Sequence, residues 1–194
     1  MRNRFVVGVV LSFVVLTGLP AQASVSVSVA DFSFTPAKVK VAQGGSVTWH
    51  NAGAFTHTST QNGPLSLWNT GKISPGSTSS PVTLRAAGSY PYHCAIHASM
   101  KGVVKVPIRV SPSSGTSSTT FTITMASATQ SGFTYDVQRR VGTGSWTMWK
   151  TGVSARTASF SGAAGTYRFR SRLVRTSSGA TSGWSPAKTI TVSG

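Results

Sequence analysis

The sequence predicts an all-β protein with two β-sandwich domains in succession. Short apolar runs alternate with polar residues at period two, and turns rich in Gly and Pro separate them. No segment combines apolar residues at helical spacing with helix caps. A stretch of Ser, Thr and Gly divides the pattern into two halves. These observations predict the fold class and the domain order, and the segments are considered below from the N-terminus.

The first segment has the features of a cleavable export signal. Arg2 and Arg4 precede the apolar run 5–16, and the run 21–23 (Ala-Gln-Ala) offers the small residues of a cleavage site. The apolar run is too short to span a bilayer. We therefore expect residues 1–23 to be removed and the chain to be secreted or otherwise extracytoplasmic, in a cell wall or periplasm-like space, without a membrane span.

Residues 24–110 have the pattern of one small sandwich. Val25, Val27 and Val29 alternate with serines, as in a half-buried strand. Further strands are expected at 37–42, 46–50, 80–84, 88–94 and 102–110, with turns at 44–45, 63–64, 75–76 and 87–88. Short strands with regular turns are typical of an antiparallel sandwich.

The second half follows a polar segment. Residues 111–120 contain no aliphatic, aromatic or charged residue, so we expect a flexible linker there. Residues 121–194 then repeat the all-β pattern, with strands expected at 121–126, 133–140, 146–150, 157–160, 166–175 and 188–192.

Charge and acid content exclude several kinds of chemistry. The formal net charge of +16 falls to +14 once Arg2 and Arg4 leave with the signal, and this surface will attract polyanions. Asp31 and Asp136 are the only acidic residues, which argues against paired-carboxylate hydrolysis and against a carboxylate cage for calcium or magnesium. No nucleophile motif supports a Ser-His-Asp triad. We expect that the protein is not an enzyme, and that any chemistry it performs comes from His, Cys, Met or the backbone.

The single cysteine indicates a metal site. An exported chain with Cys94 alone cannot form an internal disulfide, so the thiol is either a buried inert residue or a ligand. Cys94, His97 and Met100 lie three apart on a loop between two expected strands, and His57 follows an earlier strand. Two imidazoles and a thiolate with a weak axial thioether are the ligands of a blue-copper site, whereas structural zinc sites are closed by Cys and His.

These motifs resemble the cupredoxins over about residues 25–110, most closely the amicyanin and pseudoazurin-plastocyanin branch. The matching residues are Trp49, Asn51 and His57, then Tyr92, the Cys94-x-x-His97-x-x-Met100 motif and Gly102. The resemblance implies a Greek-key β-sandwich that holds one type 1 copper per chain through His57, Cys94, His97 and Met100. The competing possibility is a degenerate domain that binds no metal.

The resemblance also implies roles for two neighbours of the ligands. Asn51 would brace the cysteine loop by hydrogen bonding. Thr56 and Thr58 stand where relatives often have Pro and a small polar residue, and Thr58 can donate a hydrogen bond towards the sulfur. His50 and His93 are expected to be ordinary surface or core histidines.

The second half resembles a fibronectin type III module. The resemblance rests on residues 133–139, 167–172 and 184–186, and it suggests a corner hydrogen bond from Tyr167. Three arginines, Arg168, Arg170 and Arg172, share one face of their expected strand. They form either a cationic stripe for a polyanion or a ladder stacked on Trp184 and on Trp146 or Trp149.

The function expected from these features is one-electron transfer at a type 1 copper site. Electrons would pass through the edge of His97, where Ala95, Ile96 and Ala98 suit a transient contact with a redox partner protein. The chain is expected to be a monomer, with the basic second domain as a targeting module for a polyanionic cell-wall polymer. The alternative is a copper-storage, copper-sensing or wall-associated binding protein.

Overall fold

The computed structural model describes residues 24–194, so the predicted signal peptide, residues 1–23, lies outside the described residues. The described chain is all-β, as the sequence predicts, and none of its segments is a helix that could cross a membrane. Its strands are β1 (Ser24–Ala30), β2 (Ser33–Thr35), β3 (Lys38–Lys40), β4 (Ser46–Asn51), β5 (Thr60–Gln61), β6 (Val82–Thr83), β7 (Gly88–His93), β8 (Lys101–Val106), β9 (Arg109–Ser111), β10 (Ser114–Thr116), β11 (Phe121–Thr124), β12 (Phe133–Val141), β13 (Thr147–Val153), β14 (Thr157–Phe160), β15 (Gly165–Arg175) and β16 (Lys188–Ser193).

The first half is a sandwich of two mixed sheets. One sheet has the order β2-β1-β4-β6 and the other the order β3-β8-β7-β5. The expectation of a purely antiparallel sandwich is wrong, because β1 pairs with β4, and β3 with β8, in parallel. Parallel pairs arise here because the chain crosses from one sheet to the other between β1 and β3 and again between β3 and β4. Val27, Val29, Val47 and Trp49 point inward and are fully buried.

The second half is also built from two sheets, with the orders β10-β16-β15-β12-β13 and β14-β11-β9. The expectation of a flexible coil across residues 111–120 is wrong for part of that segment. Ser111 pairs with Thr122, and residues 114–116 lie parallel to β16 at the sheet edge. Ser and Thr fit an edge strand because one of its sides faces water and needs no apolar side chain.

The two halves contact one another directly. The Ala87 amide donates to the Met125 carbonyl at 2.7 Å, and Ser89 and Gly183 exchange two backbone hydrogen bonds of 2.9 Å. The buried apolar side chains of both halves belong to one continuous cluster. The strand β7, which leads to Cys94, therefore packs against the second half.

A tyrosine and a stack of arginines brace the second half. The Tyr167 hydroxyl donates to the Ala163 carbonyl at 2.9 Å, which is the suggested corner hydrogen bond. The Arg170 guanidinium lies over Trp146 at 4.3 Å and over Trp184 at 5.2 Å. Arg172 also lies over Trp184, at 4.8 Å, so the stacked ladder is formed by these two arginines.

Candidate metal centre

The loop between β7 and β8 carries three of the predicted ligands. Cys94 follows β7 directly, and its amide donates to the Met100 carbonyl at 3.1 Å. The Met100 amide in turn donates to the His97 carbonyl at 3.0 Å. Because His93 and Lys101 then pair as the strands resume, the seven residues form a closed turn with little conformational freedom.

The other histidine comes from the loop between β4 and β5. His57 exchanges backbone hydrogen bonds with Ile73, at 3.1 Å for its amide and 2.8 Å for its carbonyl. Its side chain is fully buried, as is the Cys94 side chain. The backbone pairing thus fixes the position of the His57 main chain.

Three donor atoms converge at this point. The Sγ of Cys94 lies 3.7 Å from the Nδ1 of His97 and 3.9 Å from the Nδ1 of His57, and the two Nδ1 atoms are 3.1 Å apart. Among the described residues, these three side chains form a cluster whose donor atoms all lie within 4.8 Å of one another. Met100 is buried at the end of the same loop.

The spacing and the donor types fit a type 1 copper ion. With metal–sulfur distances of about 2.3 Å and metal–nitrogen distances of about 2.0 Å, a trigonal plane separates sulfur from nitrogen by about 3.7 Å and nitrogen from nitrogen by about 3.5 Å. The distances of 3.7 and 3.9 Å from the Cys94 sulfur to the two Nδ1 atoms match this arrangement, and the 3.1 Å between the Nδ1 atoms of His57 and His97 is shorter than it requires. A thiolate, two imidazoles and a nearby methionine suit copper in both oxidation states. The cluster fits one type 1 copper per chain.

The Cys94 thiol has a lowered pKa, which favours its thiolate form. Its burial raises the pKa, but the hydrogen bonds that the sulfur accepts from backbone amides, the strongest from Thr58 and others from Ile96 and His97, outweigh burial and lower the pKa to about 6. The Thr58 amide lies 3.3 Å from Sγ and its hydroxyl 3.9 Å from Sγ. A thiolate is the form that binds a metal.

The expected role of Asn51 is wrong in one respect. Its side-chain amide donates to the carbonyls of Phe55 and Ile73, at 2.7 and 2.8 Å, and its Oδ1 accepts from the Gly53 amide. These contacts brace the loop of His57 rather than the cysteine loop, because they reach that loop and Ile73, which pairs with His57. Thr58 makes the link between the loops, since its Oγ1 accepts from the Ala95 amide at 2.8 Å.

Asp31 is a site residue that the sequence analysis did not identify. Its Oδ1 lies 3.1 Å from the Nε2 of His57, and its carboxylate accepts from the amides of Ala54 and Phe55 at 2.8 and 3.2 Å. The Ala54 hydrogen bond and the His57 contact hold the pKa of this carboxyl below its ordinary value. The available signal was its rarity, as one of two acids in the chain.

An aromatic patch surrounds His97. The Phe32 ring meets the His97 ring edge to face at 4.9 Å and stacks on Phe55 at 5.6 Å. Phe32, Phe55 and Ile96 are 51%, 55% and 48% exposed, and we call these three residues the apolar patch. The sequence predicts that Ile96 lies beside His97 at the partner contact, but it does not predict that Phe32 and Phe55 lie near this histidine.

The two remaining histidines lie outside the cluster. The Nδ1 of His50 is 3.0 Å from the Thr78 hydroxyl, on the surface. The Nδ1 of His93 is 2.5 Å from the Asn62 side-chain oxygen. Both are thus ordinary hydrogen-bonded histidines.

Comparison with known proteins identifies a domain family. The family model of the cupredoxin-like domain matches residues 5–106, just over half of the chain. The comparison with curated proteins found no match.

Similar solved structures align with less than the whole chain. A Cu(I) form of an amicyanin variant is 26% identical with a TM-score of 0.41, covering 44% of this chain and 84% of that one. A purple cupredoxin from Nitrosopumilus maritimus is 19% identical with a TM-score of 0.39, covering 42% and 97%. A copper-containing nitrite reductase from Thermus scotoductus is 27% identical with a TM-score of 0.39, covering 50% and 24%. On the family match, the chain belongs to the cupredoxin-like domain family.

Proposed function

We propose that this chain is an exported one-electron carrier, in which His57, Cys94, His97 and Met100 hold one copper ion. The observation that carries the proposal is the convergence of a thiol sulfur and two imidazole nitrogens within 3.1 to 3.9 Å. When bound there, copper supplies a Cu(II)/Cu(I) couple that accepts or releases one electron. Cys94, His57 and His97 would supply the strong donors, and the Met100 thioether a weak one.

The protein contributes a rigid frame for this exchange. Hydrogen bonds of the two loops, from Cys94 to Met100 and from His57 to Ile73, fix the donors in place. Rigid donors keep the two oxidation states alike in geometry, so an electron moves with little rearrangement. The four donors leave no open position for a substrate, which favours a carrier over an enzyme.

The proposed electron route leaves through His97. This half-buried ring contacts Phe32 of the apolar patch, and a patch of three residues is small, as in transient redox encounters. Because the chain is strongly basic, we expect a partner protein whose apolar contact has an acidic rim. The chain would act as a monomer.

Copper titration of the purified mature chain tests the proposal. We expect an intense visible band and the narrow copper hyperfine splitting of a copper–thiolate site, both lost in Cys94→Ser. His93→Gln is the matched control, because His93 adjoins Cys94 but bonds to Asn62. A wild-type spectrum without the intense band would contradict the proposal. Slow electron self-exchange in a blue protein would favour storage or sensing instead.

The second half is proposed to be a fibronectin type III-like domain over residues 121–194, following the segment 111–120. Strands β11 to β16 lie within residues 121–194, and the preceding strands β9 and β10 complete its two sheets. Tyr167 makes the corner hydrogen bond typical of such modules. Limited proteolysis of the folded chain tests this division. Cleavage confined to 111–120 would support it, whereas cleavage within β12 or β15 would contradict it.

Attachment to a polyanionic wall polymer is a second candidate function. Both acids are engaged: Asp31 contacts His57, and Asp136 pairs with Arg172 at 2.9 Å. Within residues 24–194, no carboxylate side chain is therefore left for the exposed cations. They include Lys38, Lys40, Lys101 and Lys105 on the neighbouring strands β3 and β8, and Arg156, Arg168 and Lys188 in the second half.

Binding to a linear polyphosphate over a series of salt concentrations tests this second function. If the second half is the targeting module, replacing Arg156, Arg168 and Lys188 by Gln lowers the affinity for polyphosphate. It also lowers the slope of log affinity against log salt concentration by about one unit per lost contact. Replacing the four lysines instead is the comparison. No effect from either set would contradict polymer attachment.

Export is proposed from the N-terminal pattern of residues 1–23. Mass spectrometry of the protein from its native host tests it. A chain that begins near Ser24 and is recovered outside the cytoplasm supports export, and an intact Met1 in the cytoplasm contradicts it.

A further inference from the structure

We propose that Asp31 is a positioning residue for the metal centre, which fixes the His57 ring and biases the site towards oxidised copper. This inference rests on the proposed function. Asp31 belongs to neither ligand loop, since it lies between β1 and β2. Its oxygen nevertheless lies 3.1 Å from the Nε2 of His57, on the opposite side of the ring from Cys94.

The His57 ring has few alternative hydrogen-bond partners because the side chain is fully buried. Its Nδ1 faces the Sγ of Cys94 and the Nδ1 of His97, and its Nε2 faces Asp31. A carboxylate only accepts hydrogen bonds, so Nε2 must carry the proton in this contact. The tautomer therefore leaves the Nδ1 lone pair free to bind a metal ion.

Asp31 is itself held in place. Its two oxygens accept from the amides of Ala54 and Phe55. Gly53 lies so close that an added Cβ would overlap the Oδ1 of Asp31. The next residue, Phe32, packs its ring against His97 at 4.9 Å. The turn between β1 and β2 thus contacts both histidines of the cluster from outside their loops.

The charge of Asp31 has a predictable effect on oxidation state. A negative charge hydrogen-bonded to a ligand stabilises the dication more than the monocation. In the described chain, Asp31 contacts the neutral His57 ring and lies within salt-bridge distance of no Lys or Arg, so no cationic side chain offsets this charge. The carboxylate therefore strengthens binding of Cu(II) relative to Cu(I).

Two substitutions separate position from charge. Asp31→Asn keeps an oxygen acceptor at nearly the same place and removes the charge, whereas Asp31→Ala removes both. We expect Asp31→Asn to keep the blue spectrum and to lower the Cu(II)-to-Cu(I) affinity ratio about tenfold, which is about 59 mV of potential. Asp31→Ala should in addition change the copper hyperfine splitting. Asp136→Asn, at the other acid of the chain, is the control and should leave the potential unchanged.

The apo protein gives a readout that needs no copper. Nitrogen-15 NMR of His57 should show one tautomer, protonated at Nε2, in the wild type and in Asp31→Asn, and a tautomer mixture in Asp31→Ala. Unchanged tautomer populations in Asp31→Ala, or equal potentials for wild type and Asp31→Asn, would overturn the inference. Absence of a blue spectrum in the wild type would defeat the proposed function and the effect on potential, while the apo tautomer still decides the positioning role.

Discussion

The backbone amide of Thr58 donates a hydrogen bond to the Sγ of Cys94 at 3.3 Å, while the Thr58 hydroxyl accepts one from the Ala95 amide at 2.8 Å. One buried residue therefore ties the loop of His57 to the loop of Cys94 at two points. The sulfur receives its bond from the main chain, so the side chain of residue 58 can be changed without removing it.

Thr58→Val should destabilise the apo protein without abolishing the metal site. The substitution keeps the side-chain shape but leaves the Ala95 amide without its acceptor, which costs about 1–3 kcal/mol. Urea unfolding measures this loss. Thr60→Val is the control, because its half-exposed hydroxyl makes a long 3.4 Å bond to Asn69, and it should change stability by less than about 0.5 kcal/mol. Equal effects from both substitutions would contradict the assigned bridge.

The Cys94 thiol of the apo protein should titrate with a midpoint of about pH 6. The folded pKa lies below the unfolded value of about 8.5, so ionisation stabilises the fold fully above pH 8.5. That contribution disappears as the pH falls through about 6. The measurements are the ultraviolet thiolate absorbance and the free energy of unfolding against pH, each as wild type minus Cys94→Ser. If the midpoint of this difference lies near the unfolded pKa of about 8.5, the prediction is contradicted.

Arg170→Ala should destabilise the second half without weakening polyanion binding. The guanidinium lies between Trp146 and Trp184, and it donates twice to the Gln138 oxygen at 2.9 and 2.7 Å. Loss of the stack and of these bonds is expected to cost about 1–3 kcal/mol. Arg168→Ala, an exposed arginine on the same strand, should stay within about 0.5 kcal/mol. Thermal unfolding and polyphosphate affinity of the two variants test this prediction. Weaker polyphosphate binding with an unchanged Tm in Arg170→Ala would instead assign Arg170 to polyanion binding.

The two halves should unfold together. Met125 is fully buried in the shared core, and its carbonyl accepts from the Ala87 amide across the boundary. Met125→Ala should therefore cost about 2–5 kcal/mol and lower the Tm reported by both halves. Trp184 fluorescence, in a variant with the other tryptophans replaced by Phe, reports the second half, and the copper band reports the first. Two separate transitions would contradict a common core.

The ligand motif could be predicted because its information is local. Cys94, His97 and Met100 lie on one turn, and their spacing alone brings them together. His57 could be located from the Trp-containing strand that precedes it. Asp31 and Phe32 could not, because their approach depends on how β1 and β2 pack beside the ligand loops. The strand at 114–116 was missed for a different reason, since its polar composition is also that of a linker.

Gly53→Ala should displace the Asp31 carboxylate and so disturb His57 from a distance. An added Cβ would overlap the Oδ1 of Asp31, which then loses its position opposite the imidazole. We expect about a tenfold loss of Cu(II) affinity and a mixed His57 tautomer in the apo protein. The control is the same substitution in the Asp31→Ala background, where the overlapping group is gone and the added methyl should cost little. Copper titration of the wild type, the two single variants and the double variant gives the coupling energy between Gly53 and Asp31. If the two substitutions are instead additive, Gly53 acts on the centre independently of Asp31, and the contact between them is not what holds the ring.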